Sequence, residues 1–121
     1  MSVFADLHVH TTNSDGAMAL DEVPAAAREA DVSVVAVTDH DRLHPDLQTP
    51  VAVVDGVTVV HGVELKVEAP HGEHVDLLAY GVYPTPDLAA ELERLQEDRI
   101  ERGRAIIECV EDRLGVDLDL E

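Results

Sequence analysis

Cysteine is nearly missing from this sequence. Cys109 stands alone in 121 residues, which excludes an internal disulfide and any cysteine-based zinc motif. Any metal must therefore be held by His, Asp and Glu. Long apolar runs are missing too: none approaches the ~20 residues of a membrane span, and the first residues lack the basic-then-apolar pattern of a secretory signal. These absences lead to the expectation of a cytoplasmic protein without membrane contact. Basic residues are scarce, eight against 26 acidic ones, and Lys66 is the single lysine. A broad electrostatic grip on nucleic acid needs clustered Lys and Arg, so an extended duplex is excluded as a partner. The formal net charge of −18 makes the surface self-repelling at low ionic strength, and a halophilic cytoplasm suits it. Internal repeats and low-complexity segments are absent.

What is there is one domain's worth of chain with 45% hydrophobic residues, enough for a core. Val3 to Val9 alternate as a strand, with Val3, Ala5, Leu7 and Val9 on one face and Phe4, Asp6, His8 and His10 on the other. Thr11 to Gly16 reads as a polar loop, followed by a helix to about Ala30 with Asp21 as its N-cap and Pro24 in its first turn. The run Val32 to Val37 is β-branched and apolar, as in a strand buried on both faces. Val51 to Val54 and Val57 to Val60 flank Asp55-Gly56, which predicts a tight turn between two strands. His74 to Tyr80 is another strand, and Asp87 to Leu114 a long helix with Leu88, Leu92, Leu95, Ile106 and Cys109 on one stripe, interrupted by Arg99 and Arg102. This order favours an α/β layered or barrel architecture.

Polar groups collect at the predicted strand ends. His8 and His10 are two residues apart, which on a strand points both imidazoles to one side. Asp15 follows the first strand, Asp39 and His40 the second, and Glu64 the next. In barrels of parallel strands such ends share one mouth, where active sites are built. A set of imidazoles and carboxylates without thiolates suits Zn, Mn or Fe ions. A bridging carboxylate such as Glu64 would hold two ions about 3.5–4 Å apart, and they would lower the pKa of a bound water so that hydroxide attacks phosphorus.

The stretch Asp6-Leu7-His8-Val9-His10-Thr11-Thr12-Asn13-Ser14-Asp15-Gly16 resembles the first motif of the polymerase and histidinol phosphatase (PHP) family, Asp-x-His-x-His-Thr-x-x-Ser-Asp-Gly. Thr38-Asp39-His40-Asp41 is similar to the second motif and Gly62-Val63-Glu64 to the Gly-x-Glu that supplies a bridging carboxylate. The nearest likeness is to small stand-alone phosphoesterases acting on nucleotides or short oligonucleotides. The resemblance implies that His8, His10 and Glu64 bind one ion, that Glu64 bridges to a second, and that Asp15 and His40 bind a third. It makes Glu64 and Asp39 the catalytic candidates, with Asp39 and Asp6 orienting imidazoles. It also implies a metal-dependent phosphoesterase for small phosphorylated substrates such as nucleotides.

The fourth strand departs from the family pattern: Asp76 stands where a ligand His is expected, with His74 as the other candidate on the same face and Asp76 preferred. His44, His61 and His71 match no ligand position and read as loop or packing residues. Arg99 and Arg102 are candidates for substrate phosphate, against the alternative that they pair with Glu91, Glu93 or Asp98 on a solvated helix. Residues 1–121 resemble the N-terminal half of a family domain, a distorted (β/α)7 barrel of which this chain supplies four or five strands. The later His-Pro and Asp-x-His motifs are absent. The expectation is therefore a fragment or truncated domain, one completed by a second chain or a copy of itself, or a non-catalytic metal-binding or interaction module.

Overall fold

A computed structural model describes residues 4–118, so Val3 lies outside the described residues. The elements run β1 (Ala5–Val9), a short 3-10 turn (Leu20–Glu22), α1 (Val23–Glu29), β2 (Val34–Val37), β3 (Val51–Val54), β4 (Val57–Glu68), β5 (His74–Tyr80) and α2 (Pro86–Leu114). The sheet order is β1-β2-β4-β3, with β5 paired to β4 as well. β1 with β2 and β2 with β4 are parallel, while β3 and β5 run antiparallel to β4. The α/β reading stands. The expectation that Glu64 follows its strand does not, because β4 is longer than the sequence suggests and Glu64 lies within it. Its first four residues lie between β2 and β3, and its second half pairs with β5 over Gly62 to Glu68.

The core forms where the apolar runs meet. Val35 and Val37 of β2, Val57 and Val59 of β4, Val23 and Ala27 of α1, and Leu47 of the β2–β3 connection make one buried cluster. β2 has parallel neighbours on both sides, which is why its side chains are apolar on both faces. The expected turn is present: Asp55 (φ 50°) and Gly56 (φ 80°) join β3 to β4 with Val54 opposite Val57, the paired positive φ angles of a tight hairpin.

Three local expectations are corrected. Asp21 sits inside the 3-10 turn, and α1 begins after Glu22, whose carboxylate instead accepts the Ala19 N–H at 3.1 Å. Leu7 is exposed although it alternates with Val9, because β1 is an edge strand whose pairing with β2 gains an extra residue between Asp6 and Val9. On α2, Leu92 is buried and Leu88 and Leu95 are half-buried, whereas Ile106 and Cys109 are exposed, so only the first turns of the stripe pack. The Thr85 hydroxyl caps this helix by accepting the Leu88 N–H at 3.2 Å, and Gly115 ends it in the left-handed region.

Candidate metal centre

The site is assembled where β2 ends beside the middle of β4. Beyond Val37 the chain keeps pairing with β4: the Glu64 N–H donates to the Asp39 carbonyl and the Asp41 N–H to the Glu64 carbonyl, both at 3.0 Å. This parallel bridge sets His40 next to Glu64. Asp41 then turns the chain with φ 50°. Two motif glycines have steric reasons to be there. A Cβ on Gly62 would lie 2.5 Å from the Ala79 carbonyl oxygen, and one on Gly16 would lie 2.0 Å from that of His10, so only glycine lets β5 and the 11–16 loop close in.

Asp39 is completely buried, and its carboxylate accepts the Thr11 N–H at 2.7 Å, the Thr11 hydroxyl at 2.8 Å and the Ser14 hydroxyl at 2.7 Å. These bonds go to the first motif's loop and not to an imidazole, which corrects the orienting role expected of it. Asp6 likewise accepts the backbone N–H of His8, at 3.3 Å, and no ring nitrogen.

Around Glu64, which is 4% exposed, three imidazoles converge. His8 Nε2 contacts Glu64 Oε1, His10 Nε2 lies 3.0 Å from the same oxygen, and His40 Nδ1 lies 3.4 Å from Oε2. Asp15 joins from the loop, its oxygens 2.7 Å from His10 Nδ1 and 3.2 Å from His40 Nε2. The result is two three-donor groups, His8-His10-Glu64 and His10-Asp15-His40, each with donor atoms within 4.8 Å of one another. Burial works against the charge on each of these groups, yet the mutual contacts prevail. Hydrogen bonds to Glu64 and Asp15 raise the His10 pKa above its ordinary value despite burial. Those from His8 and His10 lower that of Glu64, and the bond to His10 lowers that of Asp15. A buried carboxylate needs positive partners. Among the described residues neither Glu64 nor Asp15 has an Arg or Lys partner, so the donor set fits divalent cations.

A cleft of about 720 Å³ adjoins this cluster, lined by Asp15, His40, Asp41, Arg42, Lys66, Gln96 and Arg99 among others. A cleft of about 800 Å³ between Leu20, Pro24, Leu47 and Val59 touches none of the cluster's donors. Arg99 pairs with buried Asp41 and not with its own helix; Arg94 is the residue that pairs with Glu91 and Asp98. Arg102 is exposed and makes no ion pair among the described residues. Asp76 and His74 are exposed on β5, opposite Lys66 and Glu68, and belong to neither donor group. His61 and His44 are buried, His61 Nε2 accepting the His44 N–H at 3.1 Å, and His71 lies beside Glu73 on the surface. Sequence reasoning left Asp41, Gln96 and Arg42 without a role. The signal for Asp41 was a fourth polar residue directly after a buried strand.

A mixed α/β sheet carrying a continuous chain of imidazoles and carboxylates beside one strand end defines a domain with a candidate polynuclear metal centre. The chain belongs to the PHP family, since the family's model, PHP domain, matches residues 6–117. It is 36% identical over 102 residues to the 3',5'-nucleoside bisphosphate phosphatase of Chromobacterium violaceum, a match covering 82% of this chain and 35% of that protein. Its fold is similar to the structure of an amidohydrolase from Chromobacterium violaceum with bound sulfate and no metal, at a TM-score of 0.64 and 29% identity, covering 90% of this chain and 39% of that one. The chain thus spans little more than a third of the length of either relative.

Proposed function

We propose that this chain carries the N-terminal part of a metal-dependent phosphoesterase site for nucleotides or other small phosphate esters. The observation that carries the reading is the pair of donor groups sharing His10 beside a cleft that contains Arg42, Lys66 and Arg99. Similarity to a nucleoside bisphosphate phosphatase supports the same reaction class. In this reading His8, His10 and Glu64 hold one ion, Glu64 reaches toward a second, and Asp15 and His40 bind another with help from His10. Mn, Zn and Fe all suit these donors, with up to three ions in a complete site. Such ions supply a lowered water pKa and positive charge for the phosphoryl oxygens. Asp39 acts by fixing Thr11 and Ser14, so it is a positioning residue. Asp76 and His74 are the candidates for an additional ligand. Arg99, oriented by Asp41, and Arg102 are the candidates for substrate phosphate.

A second reading is a non-catalytic metal-binding or interaction module, favoured by apolar side chains that stand exposed on β3 and α2, Val53, Ile106 and Leu114 among them. Under either reading the described residues supply the first strands of a PHP-type barrel, with a second chain or a copy of this one as candidate partners. No helix among the described residues is long and apolar enough to cross a membrane, and a cytoplasmic location belongs to the proposal. Hydrolysis of a generic phosphomonoester by the Mn-loaded chain, assayed beside a His8→Ala/His10→Ala control, tests the first reading. Turnover abolished by the double substitution is expected; turnover no higher than the control leaves the second.

A further inference from the structure

We infer that the far half of α2 is a self-association surface on which a second copy of this chain docks antiparallel; the inference is independent of the phosphoesterase reading. Ile100, Gly103, Ile107, Val110 and Leu114 recur at alternating spacings of three and four residues, the heptad seam along which one helix packs on another. Ile100, Val110 and Leu114 are exposed, and Gly103 and Ile107 are half-buried, so the seam is uncovered among the described residues. Gly103 points to what covers it. This glycine stands inside a 29-residue helix, needs no left-handed backbone, and a Cβ there would meet nothing within 4 Å. Glycine weakens a helix relative to alanine, and no contact within the chain accounts for it here. It opens a space on the seam that a large side chain from outside fits.

The seam complements itself when reversed. An antiparallel register that sets Ile107 against Val110 of the second copy also sets Gly103 against Leu114, so the smallest seam residue meets the most exposed one. The same register brings Arg104 to about 3 Å, measured along the axis, from Glu111 of the second copy, and the two-fold axis repeats that pair. One oxygen of Glu111 accepts the Leu118 N–H at 2.9 Å, and the other is left for Arg104. Arg113 then lies along Ile106 of the second copy. Parallel docking would instead stack Gly103 on Gly103 and set Arg99 toward Arg104. Charge favours the same segment: residues 100–114 carry three basic and four acidic side chains, whereas the rest of the chain has five against 22. Antiparallel docking also keeps the buried Leu92 of each copy about 50 Å from that of the other, several Debye lengths. Ile106 flanks the seam without filling it, and the contact is short, so the pair is weak and forms at high protein concentration.

The test is sedimentation equilibrium of this chain over a concentration series at moderate salt, with circular dichroism confirming that each variant keeps its helix content. The wild-type mass is expected to rise from one chain to two and stop there, because a two-fold interface closes on itself. Arg104→Glu and Glu111→Arg should each weaken the pair about tenfold, since each replaces an attraction by a repulsion at both ends of the seam. The double variant R104E/E111R should recover most of the wild-type affinity. Ile107→Ser should weaken pairing more than Ile106→Ser does, although Ile106 is the more exposed of the two. A mass of one chain at every concentration overturns the inference and leaves the seam to a partner of different sequence. Masses that climb past two chains overturn it as well, marking nonspecific apolar contact. So does a double variant that pairs no more tightly than the single ones, which would mean a different register.

Discussion

Around Glu64 polar groups are buried and braced against one another, while along the far half of α2 apolar groups stand in solvent. Glu64 and Asp39 are 4% and 0% exposed, yet every oxygen of both carboxylates has a partner. Ile106 and Leu114 are 65% and 70% exposed, and Leu7 and Val53 leave further apolar surface open on the edge strands. The contrast teaches that the donor cluster is organised by the chain's own hydrogen bonds, whereas the surfaces around it lack cover. Burying a charge is costly without partners, so a site so fully braced reflects specific placement. Exposed apolar surface of this extent is where association occurs.

Substitutions on the two sides should differ most in stability. Leu47→Ala, inside the core, is expected to cost about 2–5 kcal/mol, whereas Ile106→Ala should stay within about 0.5 kcal/mol; urea denaturation of both variants checks the difference. Equal costs would mean that α2 is covered in solution. Glu64→Gln removes the carboxylate that three imidazoles face and should weaken Mn binding by more than about 100-fold in a metal titration. Asp39→Asn should cost about 1–3 kcal/mol through the lost loop bonds, and weaken metal uptake less than Glu64→Gln does. A reversed order would make Asp39 a ligand.

The smallest effect is on pH dependence. Burial, with His44 adding to it, holds the His61 pKa below its ordinary 6.5. The folded state therefore binds this proton more weakly than the unfolded one. Its contribution is complete above pH 6.5 and is lost as pH falls through the depressed folded pKa, with a slope of at most about 1.4 kcal/mol per pH unit. The raised pKa of His10 has the opposite sign: its contribution is present below pH 6.5 and fades as pH rises through the folded value. Metal-free protein titrated from pH 7 to 5 should lose stability less steeply in a His61→Asn variant. An unchanged slope would remove His61 from the account.

Much of this was legible in the sequence. β2, the hairpin at Asp55-Gly56 and the length of α2 follow from apolar runs and turn chemistry, which are local. The grouping of His8, His10, Asp15, His40 and Glu64 was expected from their places at or after predicted strand ends and from the resemblance to the family's motifs. What escaped depends on pairing. β4 runs through His61-Gly62-Val63-Glu64, and only its partners show that Glu64 lies mid-strand beside the end of β2. The partner of Arg99 lies 58 residues earlier in the chain, beyond any helical spacing. Asp39 was read by analogy as serving an imidazole, and its loop contacts depend on how the 11–14 segment folds back.

The central claim is that two donor groups sharing His10 each hold an ion, and metal content per chain tests it most directly. Wild-type protein saturated with Mn and dialysed should retain two ions or more, and Asp15→Ala, which touches one group only, should retain one fewer. Retention of one ion or none by the wild-type chain would contradict the account.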